Sequence, residues 1–285
     1  MLKTRKLIQT VCFSLLNAAA WINGIALAII VYFILANGWT AISWEFLTQP
    51  PKNSMTEGGI LPCIAGTALL CLITILVALP IGIASAIYLN EYAAQGKLVR
   101  LVRLGINNLA GVPSIVFGLF GLAFFCIVLD MGVSAAAGGL TLGIMTLPVI
   151  IGSSEEALRS VPDTYREASL GLGATKWQTI LHVVLPAAFP GIITGSILGL
   201  SRAAGETAPI MYTGAVFFTP VMPSSVLDEV MALPYHIYVL ATAGTNIEAT
   251  RHLQYGTALV LIVLVFGMNL AAIVMRSKMR KKIRM

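Results

Sequence analysis

Two opposite charges, Arg202 and Glu206, stand four residues apart in an otherwise apolar stretch, GIITGSILGLSRAAGETAPIMYTGAVFF (191–218). The planar guanidinium of an arginine can donate two charge-assisted hydrogen bonds to one phosphate or carboxylate group. A helix places residues i and i+4 on one side, so Glu206 can pair with Arg202 and limit its positive charge. Two interpretations stay open: the pair neutralises itself and fixes helix packing, or Arg202 lines the path of an anion.

A stripe of small residues runs beside this pair, because Gly191, Gly195, Gly199 and Ala203 recur every four residues. Such a stripe lets a second helix approach closely within a membrane. A central arginine costs roughly 2.5–3.5 kcal/mol even on membrane-insertion scales. We therefore expect the charged pair to face the interior of a helix bundle or an aqueous path rather than lipid.

The composition indicates a polytopic membrane protein. Of the 285 residues, 58% are hydrophobic and only 11% are charged, whereas about a quarter of the residues in a soluble domain are charged. A membrane-spanning helix needs ~20 mostly apolar residues. Six segments meet this length, roughly 12–36, 61–89, 105–129, 132–153, 187–218 and 256–275. We expect an all-α integral membrane bundle that forms a single transmembrane domain (1–285) with its core at 61–275.

The basic residues predict the orientation of these spans. Of the 18 lysines and arginines, three precede the first span, three lie between the second and third, three between the fourth and fifth, and six follow the sixth. The remaining loops hold only Lys52 and Arg251. The positive-inside rule therefore predicts a multi-pass protein of the cytoplasmic membrane with both termini in the cytoplasm. The first apolar run is longer than the core of a signal peptide, so we expect a retained helix.

The segment between the fourth and fifth spans, EEALRSVPDTYREASLGLGATKWQTILHVVLP (155–186), is patterned like an organised element. Ser160, Pro162 and Asp163 predict the start of a helix, with the hydroxyl as its cap. Gly171 and Gly173 can end that helix after about residue 170, since glycine tolerates the left-handed cap conformation.

A second helix start follows in the same segment. Thr175 precedes Gln178 by three residues, which is a capping-box pattern. We expect a short helix over about 176–183 that ends before Pro186. The segment is then a helix–turn–helix at the membrane surface, either a structural hairpin without a partner or an element that docks on another protein.

The spacing of this segment resembles the EAA loop of ABC-importer permeases, in which Glu-Ala-Ala is followed after three residues by Gly and after nine more by Ile-x-Leu-Pro. The chain has Glu167-Ala168-Ser169, then Gly173, then VVLP (183–186), with Ser169 and Val183 as the two departures. The resemblance implies the six-span fold of a type I importer permease, whose loop holds the coupling helix that docks on an ATPase subunit. The residues that it assigns to ATPase coupling are Glu167, Ala168, Gly173, Leu185 and Pro186.

Other stretches resemble the phosphate-specific permeases of this family, and one of them, LPYHIY, is typical of the PstA-type subunit. The stretches are LNEYA (89–93), LAGVPSIVFGLFG (109–121), SRAAGETAP (201–209) and LPYHIY (233–238). The resemblance implies ATP-driven import of inorganic phosphate, with Arg202 and Glu206 in the substrate pathway. It also implies three partners: a homologous permease subunit (PstC-type) that supplies a second arginine, an ATPase dimer (PstB-type) that binds MgATP, and an external phosphate-binding protein. Two outer loops, 37–58 and 219–255, are candidates to contact the binding protein, and the second is long enough for a short surface helix.

The sequence contains no phosphate-binding loop of the GxxxxGK[ST] type and no nucleophile with a neighbouring base. The histidines are scattered, and the four cysteines are expected to pack as small apolar residues. We therefore expect a transport subunit that is not itself an enzyme and that binds no cofactor, metal or nucleic acid. The alternatives that stay open are import of sulfate, molybdate or tungstate, a stand-alone secondary carrier or channel, and a membrane sensor.

Overall fold

The structure is a computed structural model that describes residues 2–94, 96–243 and 247–283. It is almost entirely helical. The helices are α1 Leu2–Gly38, α2 Trp44–Thr48, α3 Leu61–Ile87, α4 Lys97–Leu109, α5 Ser114–Gly121, α6 Ala135–Arg159, α7 Asp163–Gly171, α8 Lys176–Thr179, α9 Leu185–Ala203, α10 Ala208–Thr213, α11 Leu233–Thr242 and α12 Ile247–Ile283. Wider π-helical turns extend α3 (Tyr88–Tyr92) and α5 (Leu122–Val128) and join α8 to α9 (Ile180–Val184). Two short strands, Pro51–Lys52 and Glu57–Gly58, pair as an antiparallel hairpin.

The predicted all-α membrane bundle is confirmed. Five helical segments of the described residues are long and apolar enough to cross a membrane: 9–41, 61–92, 135–159, 176–203 and 250–278. A sixth crossing requires the pair 97–109 and 114–128 to act together, and the axes of those two helices meet at 100°.

The prediction of one continuous helix over 105–129 is wrong. α4 ends at Leu109, and α5 begins at Ser114 directly after Pro113. Proline has no N–H and disfavours helical backbone in the residue before it, so the chain turns at this point. α5 with its π-helical turn rises about 22 Å at 1.5 Å per residue, which is less than the ~30 Å of a hydrocarbon layer.

The fifth predicted span, 187–218, begins and ends earlier than expected. Helical backbone runs continuously from Lys176 to Ala203, so the predicted stop before Pro186 is wrong. The π-helical turn that precedes Pro186 widens the helix where the proline ring would otherwise meet the carbonyl four residues earlier. After Ala203 the chain turns over 204–207 and resumes as α10, because Pro209 cannot donate the hydrogen bond that a continuous helix needs.

α6 is the central helix, packed between α3 and α9. Thr74 Oγ1 of α3 donates to the carbonyl oxygen of Gly139 at 3.1 Å. A Cβ added at Gly139 would lie 2.6 Å from the Ile73 side chain, so the two backbones approach closely. On the other side of α9, Ser201 Oγ donates to Asn269 Oδ1 of α12 at 2.7 Å. Small and hydroxylated residues thus hold the bundle together, as in other membrane proteins.

The short surface helix expected within 219–255 exists as α11, and one side of it is buried. The side chains of Leu233 and Leu240 are almost inaccessible to solvent. The N–H of Leu233 donates to Thr67 Oγ1 of α3 at 2.8 Å, which satisfies one of the unpaired donors at the start of α11. This loop folds back onto α3 and α12, so α11 packs against the bundle with one side and leaves Tyr238 exposed.

Candidate substrate pathway and coupling surface

The small-residue stripe of α9 packs against α6 of the same chain. A Cβ added at Gly191 would lie 2.8 Å from the Cβ of Ala157. A Cβ added at Gly195 would overlap the side chain of Ser153. The predicted close approach of a second helix is therefore confirmed, and the two helices run antiparallel.

The same register places Arg202 beside the middle of α6, a helix that is long and apolar enough to cross a membrane. Gly199 lies opposite Ile150, and Ala203 shares a core cluster with Met145. Met145 is about ten residues from the start of α6, or roughly 15 Å at 1.5 Å per residue. Measured from the first residue of α6, Arg202 is thus about halfway along a length of ~30 Å, which is the thickness of a hydrocarbon layer.

The helix ends one residue after Arg202, at Ala203. The N–H of Gly205 donates to the Arg202 carbonyl at 3.1 Å, and the N–H of Glu206 donates to the Ala203 carbonyl at 3.2 Å. Non-helical backbone at this depth is tolerated only where it is buried in protein or lines a water-filled cavity. The break begins inside the protein, since Ala203 and Ala204 are each 2% exposed, and it reaches the surface at Gly205.

The segment after the break is held by α5. A Cβ added at Gly118 of α5 would lie 3.0 Å from the Ala208 carbonyl oxygen and 3.0 Å from the Cα of Pro209. A glycine is therefore required for α5 to approach the start of α10 this closely. The GLFG sequence of α5 positions the turn that carries Glu206.

Arg202 and Glu206 are paired, as predicted, although they do not share one continuous helix. Arg202 Nε lies 3.4 Å from Glu206 Oε1, and the two side chains are 62% and 18% exposed. Among the described residues the guanidinium donates no other hydrogen bond, so both terminal nitrogens are available to an anion. Because lipid exposure of a central arginine costs roughly 2.5–3.5 kcal/mol, this face of α9 requires water or a second subunit.

The hairpin predicted between the fourth and fifth spans is present as α7 and α8. Gly173 has a φ of +88°, which is the left-handed conformation that ends α7. The capping box is confirmed, since the Gln178 N–H donates to Thr175 Oγ1 at 3.3 Å and the Thr175 N–H donates to Gln178 Oε1 at 2.8 Å. The predicted cap by Ser160 is wrong: Ser160 lies directly after α6, and its hydroxyl donates back to the Ala157 carbonyl at 2.7 Å.

The residues expected to couple to an ATPase fall into two groups. Glu167, Ala168 and Gly173 are exposed on α7 and on the turn that follows it. Leu185 and Pro186 lie in the first turn of α9, where Leu185 packs partly against the core beneath the hairpin. The expected boundaries, 155–186, therefore include the last turn of α6 and the first turn of α9.

Sequence reasoning missed an apolar surface on this hairpin. The Leu172 side chain, beside Gly173 at the tip, is 90% exposed. Tyr165, Leu170 and Trp177 are exposed on the flanking helices. We call these four residues the hairpin tip surface. An exposed apolar patch of this kind marks an interaction site. The sequence did not reveal the patch because its residues are not adjacent in the chain.

Arg166 fastens the hairpin to the bundle, and it was also missed. Its Nη2 lies 2.9 Å from Glu91 Oε1, at the end of α3, with side chains 17% and 8% exposed. The same guanidinium donates to the carbonyl oxygens of Leu158 and Val161 at 2.9 and 2.8 Å. One side chain thus joins α7 to the ends of α3 and α6. Glu91 lies in LNEYA (89–93) and Arg166 lies in the segment 155–186, but nothing in the sequence indicates that two residues 75 positions apart form an ion pair.

Two further contacts complete this attachment. Ser169 Oγ lies 2.9 Å from Thr179 Oγ1, which joins α7 to α8. This contact accounts for the serine that departs from the Glu-Ala-Ala pattern. The Lys176 ammonium lies 5.0 Å from the centre of the Tyr92 ring, which is within cation–π range. The hairpin is therefore attached to the end of α3 at Glu91 and Tyr92.

The chain is similar to known transport permeases over most of its length. Residues 78–285 match the family described as binding-protein-dependent transport system inner membrane component. The chain is 32% identical over 279 residues to the probable ABC transporter permease protein YqgI of Bacillus subtilis, covering 94% of this chain and 95% of that protein. It is 39% identical over 243 residues to the phosphate transport system permease protein PstA of Mycobacterium leprae, covering 83% and 78%. The PstA protein of Xylella fastidiosa is 31% identical over 270 residues, covering 95% and 93%.

Solved structures share the fold. The MetNI methionine ABC transporter in inward-facing conformations gives a TM-score of 0.59 at 21% identity, covering 78% of this chain and 94% of that chain. A bacterial ABC transporter involved in the import of the acidic polysaccharide alginate gives 0.56 at 13% identity, covering 90% and 96%. At these identities the likeness concerns the fold of a type I importer permease and not the substrate. The chain belongs to the family of binding-protein-dependent transport system inner membrane components, and it is a multi-pass membrane permease subunit of the ABC importer class.

Proposed function

We propose that this permease subunit moves inorganic phosphate across the cytoplasmic membrane as part of an ATP-driven importer. The observation that carries the proposal is the similarity, at 31% and 39% identity, to proteins named as phosphate transport system permeases. An arginine with two available terminal nitrogens at mid-membrane depth supports it, since a guanidinium matches the oxygens of phosphate in geometry and charge.

In this proposal Arg202 contacts the anion and Glu206 tunes its charge. Glu206 pairs with Nε, and among the described residues the two terminal nitrogens of Arg202 donate to no other acceptor. The carboxylate also offsets part of the positive charge, which keeps the anion from binding too tightly to be released. A single arginine is a weak cradle for a multivalent anion, so a homologous permease subunit on the exposed face of α9 would supply a second one.

The α7–α8 hairpin is the proposed docking element for the ATPase. The hairpin tip surface would enter a groove of the ATPase, with Glu167, Ala168 and Gly173 beside it. Leu185 and Pro186 would transmit the movement into α9, and Arg166 would transmit it into α3. MgATP would bind only to the ATPase dimer. The hairpin and both termini would then lie in the cytoplasm, and an external phosphate-binding protein would deliver the substrate to the opposite end.

The test is uptake of labelled phosphate into proteoliposomes that contain this chain with its candidate permease and ATPase partners, supplied with the binding protein. We expect uptake that requires ATP and that resists excess unlabelled sulfate and molybdate. Inhibition by either anion would assign another oxyanion to the same machine. Uptake that is indifferent to ATP would contradict coupling and favour a stand-alone carrier, and absent uptake with intact partner binding would favour a sensor.

The role of Arg202 is tested in the same vesicles. Arg202→Gln should abolish phosphate uptake while the complex still assembles, because the charge is lost and the polar side chain remains. Arg251→Gln is the matched control, since Arg251 also pairs with a nearby glutamate but stands in the first turns of α12. Uptake at the normal rate in Arg202→Gln would refute the pathway role. Failure of assembly in that variant would favour a purely structural ion pair.

A further inference from the structure

α4 is an amphipathic helix with a basic side and an apolar side. Lys97, Arg100 and Arg103 recur every three residues and share one side of this helix. The other side carries apolar residues such as Leu98 and Leu101, which are 74% and 64% exposed. α4 also makes an angle of 100° with α5, which runs along the bundle. Basic amphipathic helices bury their apolar side at the boundary between headgroups and acyl chains.

An open cavity lies between α4 and the ends of α3 and α6. Its volume is about 580 Å³, which is within the usual range for a small-molecule site. The cationic residues of its lining are Lys97, Arg100, Arg103 and Arg159, and Asn90 adds an amide. The cavity is at the same end of the bundle as the α7–α8 hairpin and is separate from Arg202.

The positive charges of the cavity are only partly neutralised. Glu155 pairs with Arg103 at 3.5 Å and with Arg159 at 3.2 Å. Within the described ranges, neither Lys97 nor Arg100 has an ion-pair partner, and the buried Nε of Arg103 has no hydrogen-bond acceptor. A buried donor without a partner is costly, so an acceptor placed beside Arg103 Nε would stabilise this arrangement.

We propose that this cavity binds a phosphate group, either the headgroup of an anionic phospholipid or free inorganic phosphate. Arginine and lysine side chains that converge on one cavity are suited to phosphate oxygens. Basic pockets between the ends of membrane helices bind anionic headgroups in the same way. The apolar side of α4 brings the cavity to headgroup level. The site does not depend on which substrate the permease carries.

The test measures thermal unfolding of the full chain in detergent, because a ligand that binds only the folded state raises the unfolding midpoint. The probes are dihexanoyl-phosphatidylglycerol, dihexanoyl-phosphatidylcholine and inorganic phosphate. The test variant combines Lys97→Gln and Arg100→Gln, which spares the ion pairs of Arg103 and Arg159. The control variant combines Arg276→Gln and Lys278→Gln, two exposed residues of α12 that give the same change in charge.

We expect phosphatidylglycerol, and not phosphatidylcholine, to stabilise the native chain and the control variant. Its affinity for the Lys97→Gln/Arg100→Gln variant should fall roughly tenfold or more, since each basic residue near an anionic surface contributes about 1 kcal/mol. A cavity-dependent shift with inorganic phosphate and none with phosphatidylglycerol would identify free phosphate as the source. Equal losses in both variants would show general surface attraction and overturn the proposal, as would the absence of any shift with either anion.

Discussion

The ion pair between Arg166 and Glu91 should stabilise the fold more than the pair between Arg251 and Glu248, although the second pair is shorter. The N–O distances are 2.9 Å for the first pair and 2.7 Å for the second. The side chains are 17% and 8% exposed in the first pair, but 54% and 77% exposed in the second. Burial, and not distance, should therefore decide the ranking, because water screens an exposed pair.

The magnitudes follow from what each substitution leaves behind. Arg166→Met leaves the buried Glu91 carboxylate without its cation and removes the donor from two carbonyl oxygens, so we expect a loss of about 3 kcal/mol in the free energy of unfolding. Glu91→Met leaves Arg166 its carbonyl partners and should cost about 2 kcal/mol. The double variant should cost about as much as Arg166→Met alone, which corresponds to a coupling energy of about 2 kcal/mol.

The assay is a double-mutant cycle on the free energy of unfolding in mixed micelles of dodecyl maltoside and dodecyl sulfate. The same cycle with Arg251→Met and Glu248→Met is the control, and its coupling energy should be about 0.3–0.5 kcal/mol. A coupling energy for the exposed pair that equals or exceeds that of the Arg166–Glu91 pair would refute the argument from burial. In the reconstituted importer, Arg166→Met should reduce phosphate uptake more than ATP hydrolysis, because the hairpin would dock without moving α3.

Three shorter predictions concern α9, the hairpin and the outer loop. Gly195→Ala should lower the free energy of unfolding by about 1–3 kcal/mol because the added Cβ meets Ser153. Gly267→Ala is the control and should be neutral or slightly stabilising, because no atom lies within 4 Å of the added Cβ. Equal effects of the two substitutions would contradict the close approach of α6 and α9. Gly173→Asp should abolish co-purification of the ATPase. Gly173→Asn should largely retain co-purification, because asparagine tolerates the left-handed conformation and adds no charge. Loss of co-purification in both variants would place the defect in the backbone and not in the docking surface. The Ser224 hydroxyl and the N–H groups of Ser225 and Ser224 lower the pKa of Asp228, so the stability that this carboxylate contributes is complete above its ordinary pKa and is lost as the pH falls through the lowered value. The hydrogen-exchange protection factors of residues 222–230, which are corrected for the intrinsic pH dependence of amide exchange, should therefore fall on acidification in the native chain and stay constant in Asp228→Asn; identical profiles would exclude Asp228 as the cause.

Features that depend on local spacing were readable in the sequence. A helix that crosses the hydrocarbon layer must have a minimum number of apolar residues, and this number can be read from the sequence. The predicted spans 61–89 and 132–153 therefore agree with α3 and α6 to within a few residues at most of their ends. The Thr175–Gln178 capping box and the glycine stop of α7 involve groups only a few residues apart, and both are present. The pairing of Arg202 with Glu206 is likewise a contact between near neighbours in the chain.

The tertiary structure alone decided where the helices break and which distant groups meet. An apolar stretch has the same mean hydropathy whether or not its helix is interrupted. The length of the apolar segments therefore could not locate the turns at 110–113 and 204–207. Those turns are stabilised by packing against neighbouring helices. At Gly118, for example, α5 has no side chain and the start of α10 packs closely against it. Arg166 and Glu91 carry no local signal of each other, since only the packing of α7 onto the ends of α3 and α6 brings them together. The sequence by itself determined a membrane helix bundle with a capped hairpin, because those properties arise from local hydrogen bonding and from the length of the apolar segments. The tertiary structure decided the depth of Arg202 and the attachment of the hairpin, because both arise from contacts between helices far apart in the chain.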